Sequence, residues 1–129
     1  MIVAVLRETY PDERRVALIP AQVPALIKAG LEVLVESGAG SEAGFPDQAY
    51  QEKEAQVVAD RAEVFRRADA ILQVRCSGSS LEAGAADLEL LRPTQIVIGQ
   101  CDPLSSLEAV REMASRRVTQ FSLELVPRI

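Results

Sequence analysis

The sequence predicts an α/β fold, a doubly wound and mostly parallel sheet of about five strands flanked by helices. Two observations carry this prediction. Short apolar runs begin near residues 2, 31, 70, 95 and 118, with helical patterns between most of them. The first run, Ile2-Val3-Ala4-Val5-Leu6, is β-branched and does not alternate with polar residues. Such a run is typical of a strand buried on both faces, as in a parallel sheet.

The opening third of the chain has the pattern of a βαβ unit. Pro20 suits the first turn of a helix, and an apolar face over residues 21–29 predicts that helix, which Gly30 would end. Residues 31–35 then form the second predicted strand. The crossover between the two strands is expected to be right-handed.

Three glycines follow the second strand, Gly38, Gly40 and Gly44. Glycines after a strand are found in loops that cradle a dinucleotide pyrophosphate, with the spacing G-x-G-x-x-G. The spacing here is G-x-G-x-x-x-G, and the next helix signal comes only at Asp47, a potential N-cap for residues 48–54. A tight turn is therefore the preferred interpretation, and phosphate binding is the alternative.

The middle of the chain alternates short elements. Residues 55–58 could form a very short edge strand, and residues 62–67 a short helix capped by Asp60. Residues 70–74 are the next main strand. Residues 76–86 are expected to form a loop that contains Ser77-Gly78-Ser79-Ser80, and residues 88–91 an apolar turn.

The end of the chain predicts a strand, a helix and a strand. Residues 95–99 and 118–123 are the two strands. Between them, Ser105 and Glu108 have the spacing of a capping box. An apolar face at three-residue steps would follow, and it consists of Leu104, Leu107, Val110 and Met113. The order of elements is typical of flavodoxin-like or Rossmann-like sheets.

Composition narrows the possible functions. The chain has 129 residues and a net charge of −5, so a single domain is expected and nucleic-acid binding is disfavoured. No apolar run approaches the roughly 20 residues of a spanning helix, and the N-terminus lacks the pattern of a secretory signal. A cytoplasmic location without direct membrane insertion is therefore expected.

The chain contains no histidine, which removes the commonest general base and the commonest metal ligand. Its two cysteines, Cys76 and Cys101, fit no metal-binding spacing, so they are expected to be free, partly buried thiols and no metal site is predicted. Any catalysis would depend on carboxylates, arginines or a bound cofactor.

Charged residues occur where the predicted strands end. In a parallel sheet these ends lie at one edge, where ligands bind. Charge runs are also commonly solvated surface clusters, so both interpretations stay open for each residue, and Arg14 is expected to be solvated. The strand-end residues are Arg7, Glu8, Arg15, Arg75 and Asp102.

Several longer motifs resemble those of a known protein family. They occur in the order and at the spacing of the N-terminal domain shared by alanine dehydrogenases and NAD(P) transhydrogenase alpha subunits. The resemblance spans essentially the whole chain. The motifs are Arg7-Glu8-Thr9, residues 13–20, residues 35–40, residues 71–75, Asp102-Pro103-Leu104 and the closing Glu124-Leu125-Val126-Pro127-Arg128-Ile129.

The closing motif resembles the transhydrogenase branch of the family. Arg128 matches the arginine that positions NAD(H) there, and its partner glutamine and aspartate would lie beyond Ile129. In alanine dehydrogenases, the residue matching Arg15 would hold the carboxylate of pyruvate or alanine. Those enzymes place a lysine where Arg75 stands and a histidine near Asp102, and neither is present. Gln73 also replaces a lysine that is common in the family.

The resemblance therefore implies that residues 1–129 are the N-terminal lobe of a transhydrogenase alpha subunit. The whole enzyme, an oxidoreductase, would transfer a hydride between NADH and NADP+ and couple it to proton translocation. The family's separate dinucleotide-binding domain is absent from these residues, so tight binding of NAD(H) is expected to need that domain, and the chain alone is expected to be inactive. Arg128 would contact the cofactor, and Glu8, Arg15, Arg75 and Asp102 are candidates for lining the cleft.

The resemblance also implies the partners: the NAD-binding domain, the membrane and NADP-binding subunits, and further copies in a homo-oligomer. The lobe would then lie peripherally at the cytoplasmic face of the inner membrane. Two other functions stay open. One is an amino-acid dehydrogenase lobe that uses Arg15 and Arg75 to hold a substrate carboxylate. The other is a non-catalytic α/β module that regulates or dimerises with a partner.

Overall fold

Six parallel strands form one sheet in the computed structural model, which describes residues 1–79 and 81–128. The predicted doubly wound α/β class is confirmed, with one strand more than the five main strands. The strands are β1 (Ile2–Val5), β2 (Glu32–Glu36), β3 (Gln56–Val58), β4 (Ala70–Arg75), β5 (Ile96–Gln100) and β6 (Thr119–Ser122). Their order across the sheet is β3-β2-β1-β4-β5-β6, and every neighbouring pair is parallel.

Burial on both faces explains the unbroken apolar run of β1. Ala4 and Leu6 belong to a hydrophobic cluster on one face of the sheet, whereas Val5 belongs to a second cluster on the other face. Leu34 and Val35 of β2 divide between the same two clusters. Neither face of such a central strand is exposed to solvent, so its sequence need not alternate between apolar and polar residues.

Within the described residues, five helices cover the sheet: α1 (Val23–Lys28), α2 (Asp47–Gln51), α3 (Arg61–Arg67), α4 (Leu81–Leu90) and α5 (Leu107–Ser115). Gly30 follows α1 with φ +84°, as expected of a glycine that ends a helix. Asp60 caps α3, because its carboxylate accepts from the backbone N of Ala62 at 3.0 Å. No helix among the described residues is both long and apolar enough to cross a membrane.

The predicted loop over residues 76–86 is wrong in its second half. A 3-10 turn spans Ser77–Ser79, and α4 begins at Leu81; Ser80 lies outside the described residues. Gly84 of α4 packs so closely on the turn that a Cβ there would lie 2.7 Å from the Cα of Ser77. Glycine is a poor helix former, so Gly84 favoured the prediction of a loop here.

The predicted capping box is also wrong. Ser106 holds the N-cap position of α5, and its hydroxyl donates to the carbonyl of Gly78 at 2.7 Å instead of capping the helix. Leu104 and Leu107 are 78% and 64% exposed, so the expected apolar face is only partly buried. Ala109 and Met113 carry the buried contacts of this helix.

Two other helices differ in extent. A 3-10 turn over Pro20–Gln22 precedes α1, and the helix itself begins only at Val23. The expected helix over residues 48–54 stops at Gln51. Asp47 does not cap it, because its carboxylate bonds to Ser37 and Gly38 after β2.

Candidate functional site

The order of the strands places a topological switch point between β1 and β4. From β1 the chain builds the sheet outward through β2 and β3, and then returns to build β4, β5 and β6 on the other side. In such sheets, ligands bind in the crevice outside the carboxyl ends of the strands at this point. Glu8 follows β1 there, and Arg75 ends β4.

The carboxylate of Glu8 fills the crevice between these two strands. It accepts hydrogen bonds from the backbone N–H of Val74 at 2.6 Å and of Arg75 at 3.1 Å. Burial raises the pKa of Glu8 above its usual value, although the two backbone hydrogen bonds act in the opposite direction. The place where a doubly wound sheet commonly holds a ligand is therefore taken by a side chain of the chain itself.

Glu13 joins the two arginines of the predicted cleft. It accepts from Nε and NH2 of Arg15 at 2.8 and 2.7 Å, and from Nε of Arg75 at 3.0 Å. The hydrogen bonds from Arg15, aided by the one from Arg75, lower the pKa of Glu13 to about 2. The guanidinium of Arg75 also stacks over the ring of Tyr10, 4.4 Å from its centroid.

Arg15 lines a pocket of about 360 Å³. One wall is the segment after Arg15, and the other is formed by the ends of β4 and β5. Apolar side chains make up much of the lining, and Gln73 and Gln100 add polar groups; the apolar members include Val16, Leu72, Val74, Ile98 and Leu123. Glu8, Arg15 and Arg75 are thus brought together at the carboxyl edge of the sheet.

Asp102 and Arg128 do not join this cluster through any ion pair among the described residues. Asp102 is exposed after β5 and has φ +45°. Its backbone N–H and that of Cys101 both donate to the carboxylate of Glu124. Arg128 is exposed four residues further on. Its assignment as a cofactor contact, and those of the cleft-lining residues, stay predictions.

The glycine turn after β2 is closed by its own contacts. Asp47 accepts from the hydroxyl of Ser37 at 2.6 Å and from the N–H of Gly38 at 2.8 Å. A Cβ on Gly40 would lie 2.8 Å from the ring of Tyr50, so the inside of the turn is packed. The tight-turn interpretation fits these contacts, and the turn offers no open cradle for a pyrophosphate. Together with the filled crevice at Glu8, it gives the described residues a poor fit to the phosphates of NAD(H).

A buried ion-pair network supports the same edge of the sheet, and no pattern in the sequence indicated it. Arg61, at the start of α3, bonds to the carboxylates of Glu36 and Asp87 and to the carbonyl of Arg7. Gln73 donates to Asp87 at 3.3 Å. Burial opposes the charge on Arg61, but its hydrogen bonds with the two carboxylates raise its pKa. The partners are 25 and 26 residues away from Arg61 along the chain, beyond the reach of any local pattern.

Tyr10, Glu13 and Glu124 were also missed as members of the site. Glu13 and Tyr10 lie in the polar stretch after β1. The signal in the sequence that could have indicated them is their position between Glu8 and Arg15, two of the predicted strand-end residues. Arg14 agrees with the expectation of a solvated residue, because it pairs with Glu42 at 3.5 Å and both side chains are largely exposed.

The two cysteines are free, and both are buried more completely than expected. They follow β4 and β5, and the neighbouring thiol of Cys101, together with burial, raises the pKa of Cys76. Among the described residues, no group of three or more histidine, cysteine, aspartate or glutamate side chains could hold a metal ion.

Comparison with protein families gives one match over nearly the whole chain. A family model described as the N-terminal domain of alanine dehydrogenase/PNT matches residues 4–129. The first portion of the NAD(P) transhydrogenase alpha subunit of Rhodospirillum rubrum is 30% identical over 129 residues, which are 100% of this chain and 33% of that protein. An alanine dehydrogenase of Methanococcus maripaludis is 29% identical over 126 residues, 98% of this chain and 32% of that protein.

Solved structures with the same fold come from both kinds of protein. A crystal structure of transhydrogenase from Sinorhizobium meliloti has a TM-score of 0.88 and 36% identity, covering 100% of this chain and 35% of that one. An L-alanine dehydrogenase has a TM-score of 0.84 and 28% identity, covering 95% of this chain and 32% of that one. The chain thus spans about a third of the length of the proteins it matches.

Proposed function

Because the chain belongs to the family of alanine dehydrogenase/PNT N-terminal domains, we propose that it is the N-terminal lobe of a NAD(P) transhydrogenase alpha subunit. The full complex would transfer a hydride between NADH and NADP+ and couple the transfer to proton translocation. The lobe would form one wall of the cleft in which NAD(H) lies, and would be inactive alone. The chain is homologous to the N-terminal part of such subunits over its full length.

The observation that carries the choice of branch is the anchoring of the closing segment. Glu124 accepts from the backbone N–H of Cys101 and of Asp102, which holds the segment at the end of β5. The exposed Arg128 follows Glu124 by four residues, and we infer that it reaches the cleft. A guanidinium in this position could make charge-assisted hydrogen bonds that orient NAD(H).

Residue types at the site support the same branch. Arg75 stands where alanine dehydrogenases are expected to have a lysine, and the chain has no histidine to take the place expected near Asp102. When bound, NAD(H) supplies the hydride chemistry itself. We infer that the chain's own task is to position NAD(H) and to exclude water, which needs no histidine.

We assign tight binding of NAD(H) to the separate dinucleotide-binding domain that the resemblance implies. Among the described residues, the backbone N–H groups of Gly38, Val74 and Arg75, which could have contacted a phosphate, already donate to Asp47 and Glu8. The other proposed partners are the membrane and NADP-binding subunits and further copies of the subunit. Through them the lobe would lie peripherally at the cytoplasmic face of the inner membrane.

The test is a pair of activity measurements on the full-length protein assembled with its partner subunits. We expect reduction of a spectroscopically distinct NADP+ analogue by NADH, and no oxidation of NADH that depends on pyruvate and ammonium. The reverse pattern would assign the chain to the amino-acid dehydrogenases.

That second function rests on one observation: Arg15 lines a pocket of about 360 Å³ and shares the carboxylate of Glu13 with Arg75. Arginine pairs suit substrate carboxylates. If the pocket held pyruvate or alanine, millimolar concentrations would raise the melting temperature, because a ligand of the native state stabilises it. Failure to raise it would remove most of the support for this alternative.

A further inference from the structure

The two cysteines lie side by side at the ends of neighbouring strands. Arg75 of β4 pairs with Gln100 of β5, and the backbone N–H of Cys76 donates to the carbonyl of Gln100 at 2.9 Å. In a parallel ladder, the next pair in this register is Cys76 and Cys101. Neighbouring strands lie about 4.8 Å apart, and the Cα atoms of a disulfide usually lie about 4.4–6.8 Å apart. The two backbones are therefore already within the range of a disulfide.

Both sulfur atoms lie on the same side of the sheet and next to the same glycine. Cys76 and Cys101 belong to one hydrophobic cluster. The thiol of Cys101 donates to the carbonyl of Gly99 at 3.4 Å. A Cβ on Gly99 would lie only 2.6 Å from the Sγ of Cys76, so the absence of a side chain there leaves the space that this sulfur occupies. The two thiols therefore share one small space beside β5.

The two thiols differ in acidity. The neighbouring thiol of Cys76, together with the hydroxyl of Ser122, lowers the pKa of Cys101, although burial acts in the opposite direction. The neighbouring thiol of Cys101, together with burial, raises the pKa of Cys76. The thiolate is the nucleophilic form of a cysteine. Cys101 is therefore suited to react first with an oxidant, and Cys76 is placed to react with the product.

We propose that Cys76 and Cys101 form a redox modification site, at which a hydroperoxide oxidises the two thiols to a disulfide between β4 and β5. The Cys101 thiolate attacks one oxygen of hydrogen peroxide and becomes a sulfenic acid; the O–O bond breaks, and the other oxygen leaves as water with the proton that Cys101 had lost. The sulfur of Cys76 then attacks that of Cys101, the S–O bond breaks, and a second water leaves with the proton of Cys76. The two thiols lose two electrons and two protons, and the peroxide becomes two waters.

The Ser77–Ser79 turn packs against both cysteines, so oxidation requires this turn to open. Each cysteine is only 1% exposed. A Cβ on Gly78 would lie 1.8 Å from the carbonyl oxygen of Cys101. The hydroxyl of Ser79 donates to the carbonyl of Cys76 and to that of the last residue of β5, both at 3.0 Å. Local opening of such a turn would admit a molecule as small as hydrogen peroxide, so we expect a slow reaction.

The test uses the reduced full-length protein under native conditions, with hydrogen peroxide as the oxidant. The remaining thiols are then blocked with N-ethylmaleimide in denaturant, and the protein is digested with trypsin and a glutamate-specific protease. These enzymes place the two cysteines in separate peptides, residues 76–82 and 90–108. We expect mass spectrometry to find the two peptides joined, with the loss of two hydrogen atoms, and dithiothreitol to separate them. A sample kept without peroxide should contain no joined peptides.

Two single variants test the order of the steps. In Cys76→Ser, Cys101 keeps a hydroxyl neighbour but has no thiol to react with its sulfenic acid, so peroxide should leave oxygen on Cys101. In Cys101→Ser, the same exposure should oxidise Cys76 at least about tenfold less, because burial keeps its thiol protonated. Equal oxidation of the single thiols in the two folded variants would overturn the role given to Cys101.

The wild-type measurement decides the proposal even if neither variant folds. Two free thiols after peroxide treatment would overturn it, and so would sulfinic acid on either cysteine without joined peptides. Peptide mapping needs neither NAD(H) nor turnover. The inference therefore goes beyond the proposed hydride transfer, and the failure of either one would be seen separately.

Discussion

The carboxylate of Glu8 accepts a hydrogen bond from the backbone N–H of Val74 at 2.6 Å, across the switch point of the sheet. The same carboxylate accepts a second hydrogen bond from the backbone N–H of Arg75. This contact connects the polar stretch after β1 to the end of β4. It thereby fixes the turn that carries Tyr10 and Glu13 next to Arg75.

Replacing Glu8 should therefore destabilise the chain. Glu8→Ala leaves two partly buried N–H groups without an acceptor, and each such group costs about 1–3 kcal/mol. We expect a lower midpoint of urea unfolding with an unchanged m-value. Glu42→Gln, an exposed control, should stay within about 0.5 kcal/mol of the wild type. An unfolding midpoint for Glu8→Ala equal to that of the control would contradict this role.

The decrease in the free energy of unfolding at acidic pH should depend on Glu13. Its pKa is lowered from 4.5 to about 2 in the folded chain, so the unfolded chain binds the proton first as the pH falls. The stability that Glu13 contributes is thus fully present above about pH 4.5 and is lost as the pH falls toward 2. Glu13→Gln should lose less stability over this window than the wild type, as measured by urea unfolding at a series of pH values. Parallel profiles for the two proteins would refute the assignment.

Removing Arg61 should have a larger effect than removing any exposed arginine. Glu36 and Asp87 are both buried, and Arg61 bonds to both. Breaking a buried ion pair by deleting one partner costs about 3–5 kcal/mol, because a charge is left uncompensated. Arg61→Ala is therefore expected to lose this much stability.

Arg67→Ala is the matched control, because it removes a partly exposed pair with Glu63 on the same helix. A loss of about 0.5 kcal/mol or less is expected there. Similar losses in the two variants would mean that the Arg61 network does not stabilise this edge of the sheet.

The strands were predicted correctly because their burial is visible in short apolar runs, such as that of β1. The start of α5 was predicted incorrectly, because it depends on a hydrogen bond from the hydroxyl of Ser106 to the carbonyl of Gly78, which is 28 residues away. At the site, parallel topology sufficed to bring Arg15 and Arg75 to one edge. It could not place Glu13 between them, because that depends on a turn with an uncommon φ at Asp12.

Residues 1–129 by themselves should bind NAD+ no tighter than the millimolar range. The N–H of Gly38 donates to Asp47, and those of Val74 and Arg75 donate to Glu8, so these three donors at the carboxyl edge are not free to bind a phosphate. Isothermal titration of NAD+ into this chain should give little heat, while the full-length protein should give a saturable signal. Micromolar binding by the chain alone would show that it contains a dinucleotide site of its own.

Arg128 is expected to matter for turnover and not for folding. It is exposed and follows a segment that Glu124 holds at the end of β5, so Arg128→Ala should leave the unfolding midpoint unchanged. In the full-length protein assembled with its partners, hydride transfer from NADH to an NADP+ analogue should fall at least about tenfold, the cost of losing one charge-assisted contact that orients NAD(H). Arg111→Ala removes another exposed arginine, on α5, and should keep the wild-type rate. If the two variants turned over equally fast, Arg128 would have no part in positioning NAD(H), and the choice of the transhydrogenase branch would lose its main support in this lobe.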